Sequence, residues 1–128
     1  MSYYLGKTLP IGFDEAVTRT TEALKKEGFG ILTEIDVKET LKKKIGVDFP
    51  SYRILGACNP ALAYEALKLE NKVGTMLPCN VVVRDAGNGQ TEVAAIDPVA
   101  SMQAIDNPEL KRAAEQVRAK LQRVVAGL

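Results

Sequence analysis

The sequence predicts an α+β domain in which a mostly antiparallel five-stranded sheet is covered by helices. Three observations predict it. Apolar residues at helical spacing alternate along the chain with short β-rich runs. An Asp-Ala-Gly-Asn-Gly tract at residues 85–89 joins two such runs as a hairpin. The dipeptides Asn59-Pro60, Asp97-Pro98 and Asn107-Pro108 each stand just before an apolar helical segment, where a side-chain cap followed by Pro starts a helix. The 128 residues hold no low-complexity tract, so one domain, 1–128, is expected, large enough to bury a core without disulfide staples.

Each element has its own signal. Ser2 to Leu9 alternate weakly and end at Pro10, which reads as a first strand. Phe13, Ala16, Val17, Thr20 and Leu24 share one helical face, opened by Asp14 and Glu15 and closed by Lys25 and Lys26 before Gly28. Ile31, Thr33 and Ile35 suggest a second strand. Asp36 and Glu39 have capping-box spacing before Val37, Leu41 and Ile45, so a short second helix ends at Gly46. Its Lys42, Lys43 and Lys44 are the ordinary complement of a helix C-terminus. The third strand runs from Tyr52 to Cys58, and the third helix buries Leu62, Ala63, Ala66 and Leu67. Cys79 to Arg84 and Thr91 to Ile96 form the hairpin, which, centred near Gly87, sets Cys79 opposite the region of Ala95. A short helix runs from Pro98 to about Ile105. The last carries a long stripe through Leu110, Ala113, Ala114, Val117, Leu121, Val124 and Val125, to be buried on the sheet or shared with another subunit.

Composition removes several classes of function. Charges nearly balance at +1, and no stretch interleaves dense Lys/Arg with aromatics, so nucleic acid is not an expected partner. No segment is long and apolar enough to span a bilayer, and the first residues lack a leader pattern, so the expected location is the cytoplasm. Histidine is absent, which removes imidazole bases, Cys/His pairs and the commonest zinc sets. No Gly-rich phosphate loop is present, and no cofactor is implied.

Chemistry therefore rests on thiols and carboxylates. Cys58 falls where a strand hands over to a helix, near free backbone N–H groups and the positive end of a helix dipole, a setting that favours thiolate. If the third strand lies antiparallel beside the fourth, Cys58, Cys79 and Asp97 come to one rim of the sheet. Such a rim could carry sulfur chemistry or hold a soft metal such as Cu(I). Two thiols without histidine fall short of a zinc site, and no metal is assigned. Gly56, Cys58, Asn59, Cys79 and Asn80 are the candidate ligand-binding residues. The absent side chain of Gly56 leaves room for a ligand or for a neighbouring backbone. Against this stands a plain packing role, since free Cys is among the commonest buried residues.

The blocks Gly28 to Val37, Tyr52 to Pro60, Leu77 to Val83 and Ala95 to Pro98 closely resemble the bacterial and archaeal domain of unknown function 302 family, over nearly the whole chain. The resemblance implies a TATA-binding-protein-like arrangement, strand, helix, four strands, helix, often dimeric, with no established activity. It favours a meander that sends Asp36 to the end of the sheet opposite Cys58, where a right-handed crossover would have put the two together. Glu34 and Asp36 lie in the matching blocks with Asp97, but each has an ordinary structural reading. Three functions remain. One is a non-catalytic domain binding a small-molecule or sulfur-containing ligand, or a soft metal, near the cysteines. Another is a thiol enzyme or sulfur carrier with Cys58 as nucleophile, Cys79 as resolving thiol and Asp97 as orienting carboxylate. The third is an assembly module using the C-terminal stripe. A homodimer is expected.

Overall fold

Residues 2–128 are described by a computed structural model of the chain. In order they form β1 (Tyr4–Leu9), α1 (Phe13–Lys26), β2 (Gly30–Asp36), α2 (Val37–Ile45), β3 (Tyr52–Cys58), α3 (Pro60–Leu69), β4 (Cys79–Gly87), β5 (Gln90–Ile96), α4 (Pro98–Ser101) and α5 (Pro108–Ala126). A 3-10 turn at Val73–Met76, which no sequence signal announced, carries the chain from α3 to β4.

The five strands make one sheet in the order β1-β5-β4-β3-β2, antiparallel at every pairing. The four strands after α1 are interrupted by α2 and α3, which serve as connections beside the sheet rather than breaking it. Because β2 runs antiparallel to β3, Asp36 pairs with Arg53 and Gly30 with Cys58, so Asp36 lies at the end away from the cysteines. There its carboxylate accepts from the Glu39 N–H at 3.0 Å, capping α2, and lies 3.6 Å from Arg53. Arg53 also pairs with Glu34 at 3.2 Å, so both carboxylates have structural duties.

The hairpin differs from the sequence reading in register. Val81, not Cys79, stands opposite Ala95. Asn88 and Gly89 both take positive φ and make the two-residue reversal, while a bulge between Asp85 and Gly87 absorbs one residue. The shift is an even one along β4, so each side chain keeps its predicted face.

Pleating divides the sheet cleanly. Val81 and Val83 of β4, Val93 and Ala95 of β5 and Leu55 and Ala57 of β3 are fully buried under the helices. They join Ala16 and Leu24 of α1 and Leu121, Val124 and Val125 of α5 in the main core. A second, smaller cluster joins Ala66 of α3 and Val73 to Met102, Leu110 and Ala114. The apolar stripe of α5 is thereby consumed within the chain, so of its two sequence readings, packing on the sheet or a share in a subunit contact, the buried residues follow the first. The long stripe is explained by two cores met in succession along one helix. Among the described residues no helix lies over the opposite face of the sheet.

All three X-Pro starts cap as the sequence predicts. Asn59 accepts from Leu62 N–H, Asp97 from Val99 and Ala100, and Asn107 from Glu109 and Leu110. The helix after Asp97 is shorter than expected, ending at Ser101.

Candidate functional site

A small cavity of about 40 Å³ lies at the seam between the two cores. Phe29, Ala57 and Cys79 bound it from the main core; Ala66, Met102, Leu110 and Ala114 bound it from the second. Leu62 and Ala63 of α3 close one side, and Leu77 and Pro78 bring the chain past it into β4. The polar groups at this wall are few: the two cysteines and Asn59. The cavity exists because the helices meet here through small residues. Ala63 and Ala66 on α3 face Ala113 and Ala114 on α5, and none is long enough to cross the gap. These lining residues were not singled out from sequence as a site. Their only signal was alanine at successive positions of an otherwise larger apolar stripe.

The cysteines are placed by the ladder. Ala57 pairs with Cys79, so Cys58 is one residue off in register and the two cysteines are neighbours across adjacent strands. Both are free thiols. They are not equivalent. Cys79 follows the inward parity of Val81 and is buried, whereas Cys58, at the last position of β3, is half-buried. Burial pushes the Cys79 thiol up to about 11, and the neighbouring Cys58 adds to the rise. Cys79 is therefore a neutral S–H at physiological pH, an apolar wall with a weak donor rather than a nucleophile. Among the described residues no group of three or more His, Cys, Asp or Glu side chains gathers to hold a metal ion.

The remaining sequence candidates separate from this cavity for identifiable reasons. Asp97 shares the cysteines' end of the sheet, but its carboxylate is fully engaged. One oxygen accepts from Val99 and Ala100, and the other accepts from Arg118 Nε at 2.9 Å. Its side chain lines a different depression with Ser2, Tyr4 and Arg118. It is a cap and an ion-pair partner, with no free oxygen to orient a thiol. Asn80 follows Cys79 by one residue and so projects from the uncovered face of the sheet. Gly56 is a packing glycine: a Cβ there would overlap Thr33 Oγ1 and come within 2.8 Å of Pro78 Cγ. Asn59 does line the cavity, while its amide oxygen caps α3 and its Nδ2 lies against Gly28, whose φ of +85° favours glycine.

An antiparallel sheet backed by helices on one face, with an apolar seam cavity where those helices meet, defines a two-layer α+β domain. A family model described as "Domain of unknown function DUF302" matches residues 5–128, and the chain belongs to this family. A crystal structure of an uncharacterized conserved DUF302 protein from Bacillus stearothermophilus is similar to it at 32% identity, covering 98% of each chain with a TM-score of 0.91. No curated protein matches. No helix among the described residues is long and apolar enough to cross a membrane.

Proposed function

We propose that the chain is a non-catalytic binding domain whose site is the apolar seam cavity beside Cys58 and Cys79. The observation that supports it is the cavity itself, which is bounded by both cores and maintained by alanines where larger side chains would close it. A volume of about 40 Å³ admits only about two or three non-hydrogen atoms, judged against the space that one water requires. The ligand class is therefore a molecule with a short apolar or thioether end that enters the seam, its remainder staying at the half-buried rim by Cys58 and Asn59. Binding is favoured over thiol catalysis because Cys79 is held protonated and Asp97 is committed to Arg118.

Xenon, an apolar atom of suitable size, is the probe. Amide and methyl resonances recorded under xenon pressure are expected to shift at Ala57, Ala63, Ala66 and Ala114 and hardly elsewhere. Dimethyl sulfide should move the same signals. Shifts scattered over the surface, or none, would sink the reading. Titration with Ag(I), a redox-stable stand-in for Cu(I), tests the soft-metal form of the same site. Tight one-to-one binding lost in Cys58→Ser would replace the apolar ligand by a thiophilic ion.

A further inference from the structure

Helix α2 and the loop that follows it belong to neither core. None of the nine residues of α2 is buried, although Val37, Leu41 and Ile45 form an apolar stripe, each one turn beyond the last. The stripe continues past the helix. Gly46 closes α2 at φ +68°, its N–H donating to the Lys42 carbonyl at 3.1 Å while the Val47 N–H donates to the Leu41 carbonyl at 3.4 Å. This pair of bonds folds the chain back and sets Val47 beside the last turn of the stripe. Phe49 follows, edge-on to Tyr52 with the ring centroids 6.1 Å apart. Ile45 is 67% exposed, Val47 44% and Phe49 38%. Large apolar side chains gathered at one exposed tip and rimmed by polar ones mark a surface for interaction.

We propose that this tip docks on the surface of a bilayer that contains anionic phospholipid. Charge selects the partner. Wound at about 3.6 residues per turn, α2 sets Lys38, Lys42 and Lys44 along the flanks of the stripe and Glu39 and Lys43 on the far side. Each nearby carboxylate already has its cation: Glu39 lies 2.8 Å from Lys43, Asp48 3.0 Å from Lys42, and Glu34 and Asp36 lie 3.2 and 3.6 Å from Arg53. Lys38 and Lys44 have no carboxylate within ion-pair distance among the described residues, so the flanks keep a positive charge. Shape separates a bilayer from a protein partner. A side chain that is 67% exposed, as Ile45 is, forms a projection, which lipid tails admit anywhere, whereas a protein must supply a matching hollow. Lysine stems beside the stripe can lie along the apolar boundary and lift their ammonium groups to lipid phosphates. With two unpaired lysines and a short apolar tip, the docking is reversible and sensitive to salt.

The test is co-sedimentation of the full chain with vesicles of phosphatidylcholine alone and of phosphatidylcholine mixed with phosphatidylglycerol. Each unpaired lysine near an anionic surface favours binding about fivefold, so partition onto the mixed vesicles is expected to be roughly 25-fold stronger and to fall as salt is raised. Lys38→Gln combined with Lys44→Gln should remove most of that preference, and Ile45→Ser should weaken binding to the mixed vesicles about tenfold. All three positions are exposed, and circular dichroism checks each variant. Should one variant fail to fold, the other decides. Equal partition onto both vesicles overturns the proposal, as does a folded variant of either kind that binds like the wild type. Absence from both also overturns it and leaves the tip to a protein partner. Helix α2 begins at the end of the sheet away from the cysteines, so the xenon shifts are unaffected by any of these results.

Discussion

The helices α1 and α3 lie on the same side of the sheet but are held very differently. Helix α1 drives Ala16, Thr20 and Leu24 to complete burial over the central strands, and its ends are complemented by Asp14, Glu15, Lys25 and Lys26. Helix α3 buries only Ala66, leaves Tyr64 and Leu67 exposed, and rests on α5 through alanines with a cavity beneath. The α1 half holds the fold together; the α3 half gives up packing and leaves a space. A domain selected for stability alone would close it with one larger side chain.

That contrast can be broken by substitution, and the largest effect is expected under α1. Leu24→Ala should cost about 3 kcal/mol in denaturant unfolding, as for a fully buried leucine in a tight core. Leu62→Ala on α3, already beside a void, should cost about 1 kcal/mol or less beyond its transfer of partly exposed surface. Equal losses would mean that the two halves are packed alike. Gly56→Ala should cost about 2 kcal/mol, because Thr33 and Pro78 on both sides leave the methyl no room.

Cys79 supplies a pH signature of the seam. Its thiol titrates near 9.0 when exposed and near 11 in the folded chain. The unfolded chain thus releases this proton first, and stability present below about pH 9 is lost as pH rises toward 11, by about 2 kcal/mol. Urea midpoints across that range would show the slope, and Cys79→Ala should flatten it. A wild type whose stability is level from pH 8 to about 11 would place the thiol in water instead.

The smaller effects should both be gains. Thr20 Oγ1 is buried under α1 with no hydrogen-bond partner among the described residues, so Thr20→Val should raise stability by about 1 kcal/mol. Ala113→Val, filling part of a 40 Å³ void, should raise it by several tenths of a kcal/mol while abolishing the xenon shifts. A valine that destabilises would show the seam already closed to one methyl group.

The sequence carried the fold well because its punctuation is local. Three Asx-Pro starts, the Asp36 cap and the 85–89 turn act within a few residues; the four caps are found in place, and the turn is found with its centre moved from Gly87 to Asn88-Gly89. Strand faces were equally legible, since alternation survives a register shift of two. The site was less so. That Asp97 would be taken by Arg118, twenty-one residues on, depends on where α5 crosses the sheet. That a cavity would open depends on four alanines meeting across two helices, which no pattern within either helix reveals. Cys58 and Cys79 were placed together by strand pairing, but their unequal burial is a property of the finished core.

The strand order bears on how the chain is made. The first strand to emerge, β1, has a single neighbour in the sheet, β5, and its Lys7 Nζ reaches the Ala126 and Leu128 carbonyls at the end of α5. Strands β2, β3 and β4 can pair as they leave the ribosome, whereas β1 has nothing to join until Ile96 is out and nothing to anchor Lys7 until the last turn of α5 has formed. Such distant closure is slow relative to local pairing. For most of its synthesis, then, the nascent domain carries an unjoined first strand, which pairs with β5 only after Ile96 is made and is tied to α5 later still.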